Sequence, residues 1–277
     1  MYIIRDAIVN FNSVLYTIDI FLYISRFRFE YVIVIIIGKD SIYMDEVELS
    51  LEDTGVKKKQ KPFIGYYKMW VMLTYLSAVS AVIGMFFALD GSIVLAIICL
   101  MVCGLCDMLD GPVARRKKRT EREKNYGIEI DALTDLVSFG VFPVVIGFSL
   151  GFVNVPYIHD SFRLVIFIAI AAVYVLAAII RLAYFNAVEI ELQQKKEKRK
   201  YYVGMPVTFV SILIPLVYSV CFLLDAAFAS VYPAMLFVIA VAFLSRIKFP
   251  KVRGRYLVIF LLVGLPLVIF LVWSIGA

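Results

Sequence analysis

From residue 69 onward, apolar residues gather in blocks of about 20, the length a helix needs to cross a bilayer core, and short polar segments separate them. The blocks are 69–89, 92–115, 129–152, 162–186, 203–224, 229–246 and 256–275. Each predicts a spanning helix, the sixth a short one. Pro143, Pro206, Pro215, Pro233 and Pro266 fall inside blocks, which membrane helices tolerate when neighbours take up the freed carbonyls. The first residues read differently. The apolar run Tyr31–Ile37 is too short to span, Arg26, Arg28 and Glu30 precede it, and no signal-peptide pattern is present. Met44 is a second candidate start, which would leave 1–43 as an extension. Acidic residues fill 45–53, and Lys57, Lys58, Lys59 and Lys61 follow. Residues 1–68 therefore read as an N-terminal extension and a cytosolic juxtamembrane segment whose lysines face anionic headgroups. A transmembrane core is expected over 69–246, with an additional C-terminal spanning helix in 247–277.

Composition narrows the class. The 277 residues are 62% hydrophobic and 18% charged, with mean hydropathy +0.90. A soluble domain lies nearer half apolar and a quarter charged. This chain could not hide so much apolar side chain in water, and it has too much to stay disordered. The expected fold class is an all-α integral membrane protein, a multi-span helical bundle. The net charge of +6 is unevenly placed. Segments 44–61, 116–126, 187–202 and 246–255 carry 4, 6, 5 and 5 Lys+Arg, whereas the connections near 90, 153–161 and 225–228 carry none. That alternation sets a cytosolic start and an outside end in the cell (cytoplasmic) membrane. It also assigns the basic excess to a membrane surface and excludes nucleic acid as a partner. The four cysteines sit in apolar runs and read as small fillers. A single histidine, His159, excludes histidine-based triads and His-rich zinc sites.

Charged residues inside spans are costly and mark function by default. The second block ends with Asp107 and Asp110, i,i+3 on one helix face, and the third begins with Asp131 and Asp135, i,i+4 on one face. A short loop joins the two helices, so they run antiparallel. Asp107 lies ~12 Å of helix inside the end at Arg115, and Asp131 a similar step inside its own end. The four carboxylates are expected to meet at one depth, just below the inner surface. Packed together they repel and need neutralising cations. Oxygen donors without His or Cys suit hard divalent ions, Mg2+ or Mn2+, and two such ions can clamp a phosphate chain. Gly111 and Ala114 lie on the face of Asp107 and Asp110 and would let a ligand approach the backbone. Arg115 adds a fork suited to phosphate.

The ordered string Asp107-x-x-Asp110-Gly111-x-x-Ala114-Arg115, then Gly127-x-x-x-Asp131-x-x-x-Asp135, resembles the signature of the CDP-alcohol phosphatidyltransferases at all eight marked positions. One departure is a longer basic loop, Arg116–Tyr126, than the family commonly has. The resemblance covers about 69–225 well. It implies a six-helix core, a homodimer, and an alcohol attacking the β-phosphorus of a CDP-linked lipid with release of CMP. By position it implies that Asp107, Asp110, Asp131 and Asp135 hold two divalent ions and that Asp135 is also the base. It implies that Asp107, Asp110, Gly111, Ala114, Arg115 and Gly127 form the CDP site, with Gly127 tightening the entry from loop to helix.

The stretch Asp135-Leu-Val-Ser-Phe-Gly140-Val-Phe-Pro143 looks like the phosphatidylserine synthase branch, as do Arg181-Leu-Ala-Tyr-Phe-Asn186 and Gly204-Met-Pro206. The implied partners are CDP-diacylglycerol, L-serine and membrane lipids. The fourth span would bring Arg181 to the depth of the carboxylates, where a guanidinium suits serine's carboxylate. The competing role for Arg181 is a snorkelling end-of-span arginine. Asn186 is the second candidate acceptor contact, or a helix cap. Glycerol 3-phosphate or inositol phosphate as acceptor would call for more convergent basic residues than the span interiors offer. A divalent-cation transporter is the alternative of another class. It would need polar groups across the bilayer, and the outer halves of the second and third blocks are apolar.

Overall fold

The computed structural model describes residues 65–115, 120–153, 161–194, 201–246, 248–250 and 255–276. The expectations for residues 1–64, and for the loop stretches 116–119, 195–200 and 251–254, lie outside these. Met69–Ala277 forms one unit, built from eight α-helices among the described residues. They are α1 (Met69–Leu89), α2 (Ile93–Arg115), α3 (Glu121–Asp135), α4 (Phe142–Phe148), α5 (Ser161–Gln194), α6 (Val210–Leu223), α7 (Phe228–Leu244) and α8 (Arg255–Gly276). A π-helical turn at Leu136–Val141 joins α3 and α4, and a second at Ser149–Val153 continues α4, so that Glu121–Val153 is one rod.

All seven apolar blocks are helical. Four helical runs are long and apolar enough to cross a membrane: Val71–Leu89, Ile93–Asp110, Glu121–Phe152 and Phe162–Val188. Val207–Leu223, Phe228–Leu244 and Leu262–Ser274 are shorter apolar helices. The chain is thus an all-α, multi-pass membrane protein. Its outer faces show what the helices meet. Val79, Val82 and Phe86 on α1, and Val165, Ile168 and Leu176 on α5, are exposed, as hydrocarbon permits and water does not. The inner faces carry small residues that let backbones approach. Ala81 and Ala88 of α1 and Ala96 of α2 are fully buried. A Cβ on Gly84 would collide with the Phe142 ring and meet the Cys99 Cβ at 2.8 Å.

Three boundaries differ from the apolar pattern, each for a local reason. The third helix begins at Glu121, eight residues before its apolar block, because Thr120 caps it. The Thr120 hydroxyl accepts from the Glu123 N–H (3.3 Å), and the Glu123 carboxylate accepts from the Thr120 N–H (2.9 Å), a complete capping box. The fourth helix runs on to Gln194, since the polar residues after Asn186 continue a helix as readily outside the apolar layer as within it. The fifth starts later than 203. Gly204 has φ +82°, open to glycine at little cost, and Pro206 biases Met205 away from the helical region. A 3-10 turn at Val207–Phe209 then leads into α6. Just before it, Tyr201–Val203 pairs antiparallel with Lys248–Pro250 in a two-stranded ribbon, Tyr202 opposite Phe249.

Packing places the long helices. α1 lies along α2, α5 along α7, and α6 and α8 flank α2. α4 leans on α1, and the π-helical segment before it leans on α5. Pro143 sits in the first turn of α4. Its missing N–H leaves the Phe139 carbonyl without its α-helical donor, and the Tyr174 hydroxyl of α5 donates to that oxygen at 2.6 Å. The Tyr232 hydroxyl of α7 donates to the Pro143 carbonyl at 2.8 Å. Neighbours do take up what the proline frees.

Candidate active site

Two helices supply the acidic groups. Asp107 and Asp110 lie near the end of α2, and Asp131 and Asp135 near the end of α3, just before the π-helical turns. The Asp107, Asp131 and Asp135 carboxylates each offer an oxygen within 4.8 Å of the others. Asp135 is buried, and Asp107 and Asp131 are half-buried. Asp110 stands at the edge of this triad. It faces Asp131 and accepts from the Thr74 hydroxyl of α1 at 3.5 Å. The expected quartet is therefore a triad plus a flanking fourth.

The donor set fits a hard divalent ion. Such ions bind oxygen at about 2.0–2.6 Å, so one ion can bridge oxygens up to ~5 Å apart. Three carboxylates at that spacing, without His, make a site for Mg2+-like rather than zinc-like chemistry. Among the described residues no other group of three or more His, Cys, Asp or Glu is placed to hold a metal, so no ladder of such sites crosses the bundle.

The other expected residues fall as follows. Gly111, Ala114 and Arg115 form the last turns of α2, and their side chains lie outside the described residues. Gly127 does not mark the entry from loop to helix. The capping box moves that entry back to Thr120, so Gly127 lies in the second turn of α3, beside Tyr126, whose hydroxyl is 2.9 Å from that of Tyr75 on α1. Arg181 is buried on α5 rather than snorkelling out. Its Nε donates to the Met205 carbonyl (3.2 Å) and an Nη to the Gly204 carbonyl (3.5 Å), and it lies over the Phe185 ring, 5.6 Å from the centroid. The two stretches Arg181–Asn186 and Gly204–Pro206 thus meet in space. Asn186 is half-buried one turn beyond.

Sequence reasoning did not find Thr74, Ser77 or Tyr174. Thr74 reaches Asp110. Ser77 pairs with Ser138 across the helix interface at 3.4 Å and accepts from the Cys103 thiol at its carbonyl. Small polar residues are frequent in apolar spans, so only the register of α1 against α2 and α3 singles them out.

Comparison with known proteins agrees with this geometry. Residues 71–270 match the family model described as CDP-alcohol phosphatidyltransferase, and the chain belongs to that family. It is a membrane transferase. Over 185 residues it is 30% identical to the archaetidylserine synthase of Methanothermobacter thermautotrophicus, covering 66% of this chain and 70% of that one. It is 36% identical over 124 residues to the CDP-diacylglycerol–serine O-phosphatidyltransferase of Saccharomyces cerevisiae, covering 43% and 40%. It is 27% identical over 189 residues to the protein of that same name from Helicobacter pylori, covering 66% and 71%.

Proposed function

We propose that this protein transfers a phosphatidyl group from CDP-diacylglycerol to L-serine, forming phosphatidylserine and releasing CMP. The observation that carries the reading is the meeting of Asp107, Asp131 and Asp135 within 4.8 Å, in a chain whose family match spans them. The names of its relatives favour serine as the acceptor.

The chain's own groups divide the work. Asp107, Asp110 and Asp131 would hold two divalent ions, Mg2+ or Mn2+, with Asp135 shared between that task and proton transfer. When bound, such ions supply charge neutralisation to a pyrophosphate and its leaving group. Gly111, Ala114, Arg115 and Gly127 would contact the cytidine diphosphate. Asp135, the most buried of the triad, takes the proton of the serine hydroxyl. The new bond joins the serine oxygen to the β-phosphorus. The bond from that phosphorus to the bridging oxygen breaks, and its electrons leave with CMP. Arg181 and Asn186 orient the acceptor, the guanidinium meeting serine's carboxylate. The basic connections on one side support a cytosol-facing site in the cytoplasmic membrane, and the family resemblance supports a homodimer.

The test is an acceptor panel scored by CMP release from purified protein, with Mn2+ and with CDP-lipids of ester- and ether-linked tails. Serine is expected to give labelled lipid, and Asp135→Asn no turnover above background. Product with glycerol 3-phosphate or inositol phosphate but not serine would move the protein to a sibling reaction. Metal uptake into sealed vesicles without CMP release would replace the transferase reading altogether.

A further inference from the structure

We propose that Tyr174 is a positioning residue for the carboxylate site. It acts through the Phe139 carbonyl to hold the π-helical turn that follows Asp135, and so sets the direction in which Asp131 and Asp135 point. The inference rests on the metal-site reading above.

The rod from Glu121 to Val153 has two tasks on two faces. Before the π-helical turn, Asp131 and Asp135 face Asp107 on α2. After it, Phe142 and Ile146 are fully buried, and Phe142 reaches the space that Gly84 of α1 leaves open. A π-helical turn takes up one residue more than an α-turn. It therefore rotates everything after it by about 100° relative to everything before it. Were the segment to relax to a plain α-helix, the two faces would fall out of step. Either the aromatic contacts or the carboxylates would turn away. The turn at Leu136–Val141 is thus a phase adjuster placed one residue beyond Asp135.

Pro143 and Tyr174 meet at one carbonyl of that turn. The Phe142 N–H donates to the Val137 carbonyl at the end of the turn, and Pro143, the next residue, has no N–H to give to Phe139. Tyr174 donates to the Phe139 carbonyl at 2.6 Å, so the turn leaves no buried acceptor unsatisfied at that point. The tyrosine is itself fixed. It is fully buried, and its ring packs on Phe243 of α7, centroids 5.6 Å apart. α5 also lies close there, since a Cβ on Gly140 would stand 3.5 Å from the Ala178 Cβ. Tyr174 and Arg181 are i,i+7, on one face of α5. The same helix face therefore braces the carboxylate helix at Phe139 and the turn at Gly204–Met205. Partners that orient metal ligands without touching the ion typically matter about tenfold or more for its affinity.

Direct Mn2+ binding, read from the electron paramagnetic resonance of free Mn2+ against purified protein without substrate, separates this role from simple support of the fold. Tyr174→Phe removes one hydroxyl and is expected to weaken Mn2+ binding about tenfold, with a modest fall in the thermal midpoint from the carbonyl left without a donor. Pro143→Ala returns an N–H to the Phe139 carbonyl. In the double variant Tyr174→Phe/Pro143→Ala, that carbonyl is satisfied from within the rod but the link to α5 is gone, so the affinity is expected to stay weak. Wild-type affinity in Tyr174→Phe, whatever its thermal midpoint, overturns the inference. So does recovery of wild-type affinity in the double variant, which would show that Tyr174 only satisfies a carbonyl and leaves the phase of the helix unchanged. The double variant carries the test if the single one does not fold. A wild-type protein that binds no Mn2+ overturns the carboxylate-site reading itself. Mn2+ bound equally by wild type and Tyr174→Phe overturns only the role of Tyr174.

Discussion

The two ends of the rod that begins at Glu121 follow different rules. In the first, α3 is polar, with a capped start, and it carries Asp131 and Asp135. In the second, α4 is apolar and holds its place with Phe142, Ile146 and close glycine contacts. A shared backbone joins them, yet one end is built for ions and the other for packing against helices in hydrocarbon. The far end can be rigid because nothing polar needs to move there. The Asp end gathers like charges, which have to be held together by structure until cations neutralise them. A rigid apolar half is what makes that possible.

The comparison breaks first at Asp135. Asp135→Asn keeps the size of the side chain and removes its ability to take a proton. CMP release with serine is expected to fall on the order of a thousandfold, with helix content and detergent melting nearly unchanged. A loss of folding in step with activity would mean that the Asp end is structural too. At the far end the expectation reverses. Phe142→Ala removes a ring from a fully packed position. In a bilayer the transfer term largely vanishes, so the cavity term remains. At ~24 cal/mol per Å3, a void of roughly 100 Å3 costs about 2 kcal/mol. The thermal midpoint should drop while turnover per folded molecule stays near wild type. Lost turnover at an unchanged midpoint would show that the far end takes part in chemistry.

The difference between the ends also explains what could be read from the sequence. Apolar blocks of spanning length are written in composition, so every helix of the bundle was legible from residue 69 onward. The carboxylates were legible because charge in a span is rare and theirs recurs at helical spacing on two adjacent helices. The helix boundaries were not. Thr120 and Glu123 form a capping box, but the box lies among charged loop residues, where the hydrophobic pattern is silent. The π-helical turn was equally hidden. Pro143 flagged a freed carbonyl, yet nothing local indicates that its donor is a tyrosine 31 residues further along. Arg181 stood between two roles, and only the meeting of α5 with the Gly204 turn shows that it is buried. Contacts between helices distant in sequence are set by packing, and one chain alone does not report them.

The smallest expected effect sharpens the comparison within the Asp end itself. Thr120→Ala opens the capping box and leaves the Glu123 N–H without its acceptor. An N-cap loss costs ~1 kcal/mol, and the cost is local to the first turn of α3. Asp131 lies eleven residues on, or about 16 Å of helix, on a helix held by its packing against α1 and α5 rather than by the cap. Amide hydrogen exchange over residues 121–124 should therefore speed up, while CMP release falls less than about twofold, because frayed terminal turns open without the rest of the helix. Turnover as low as that of Asp135→Asn would mean that the carboxylates depend on the helix start, and the rigid far half would no longer account for how they are held.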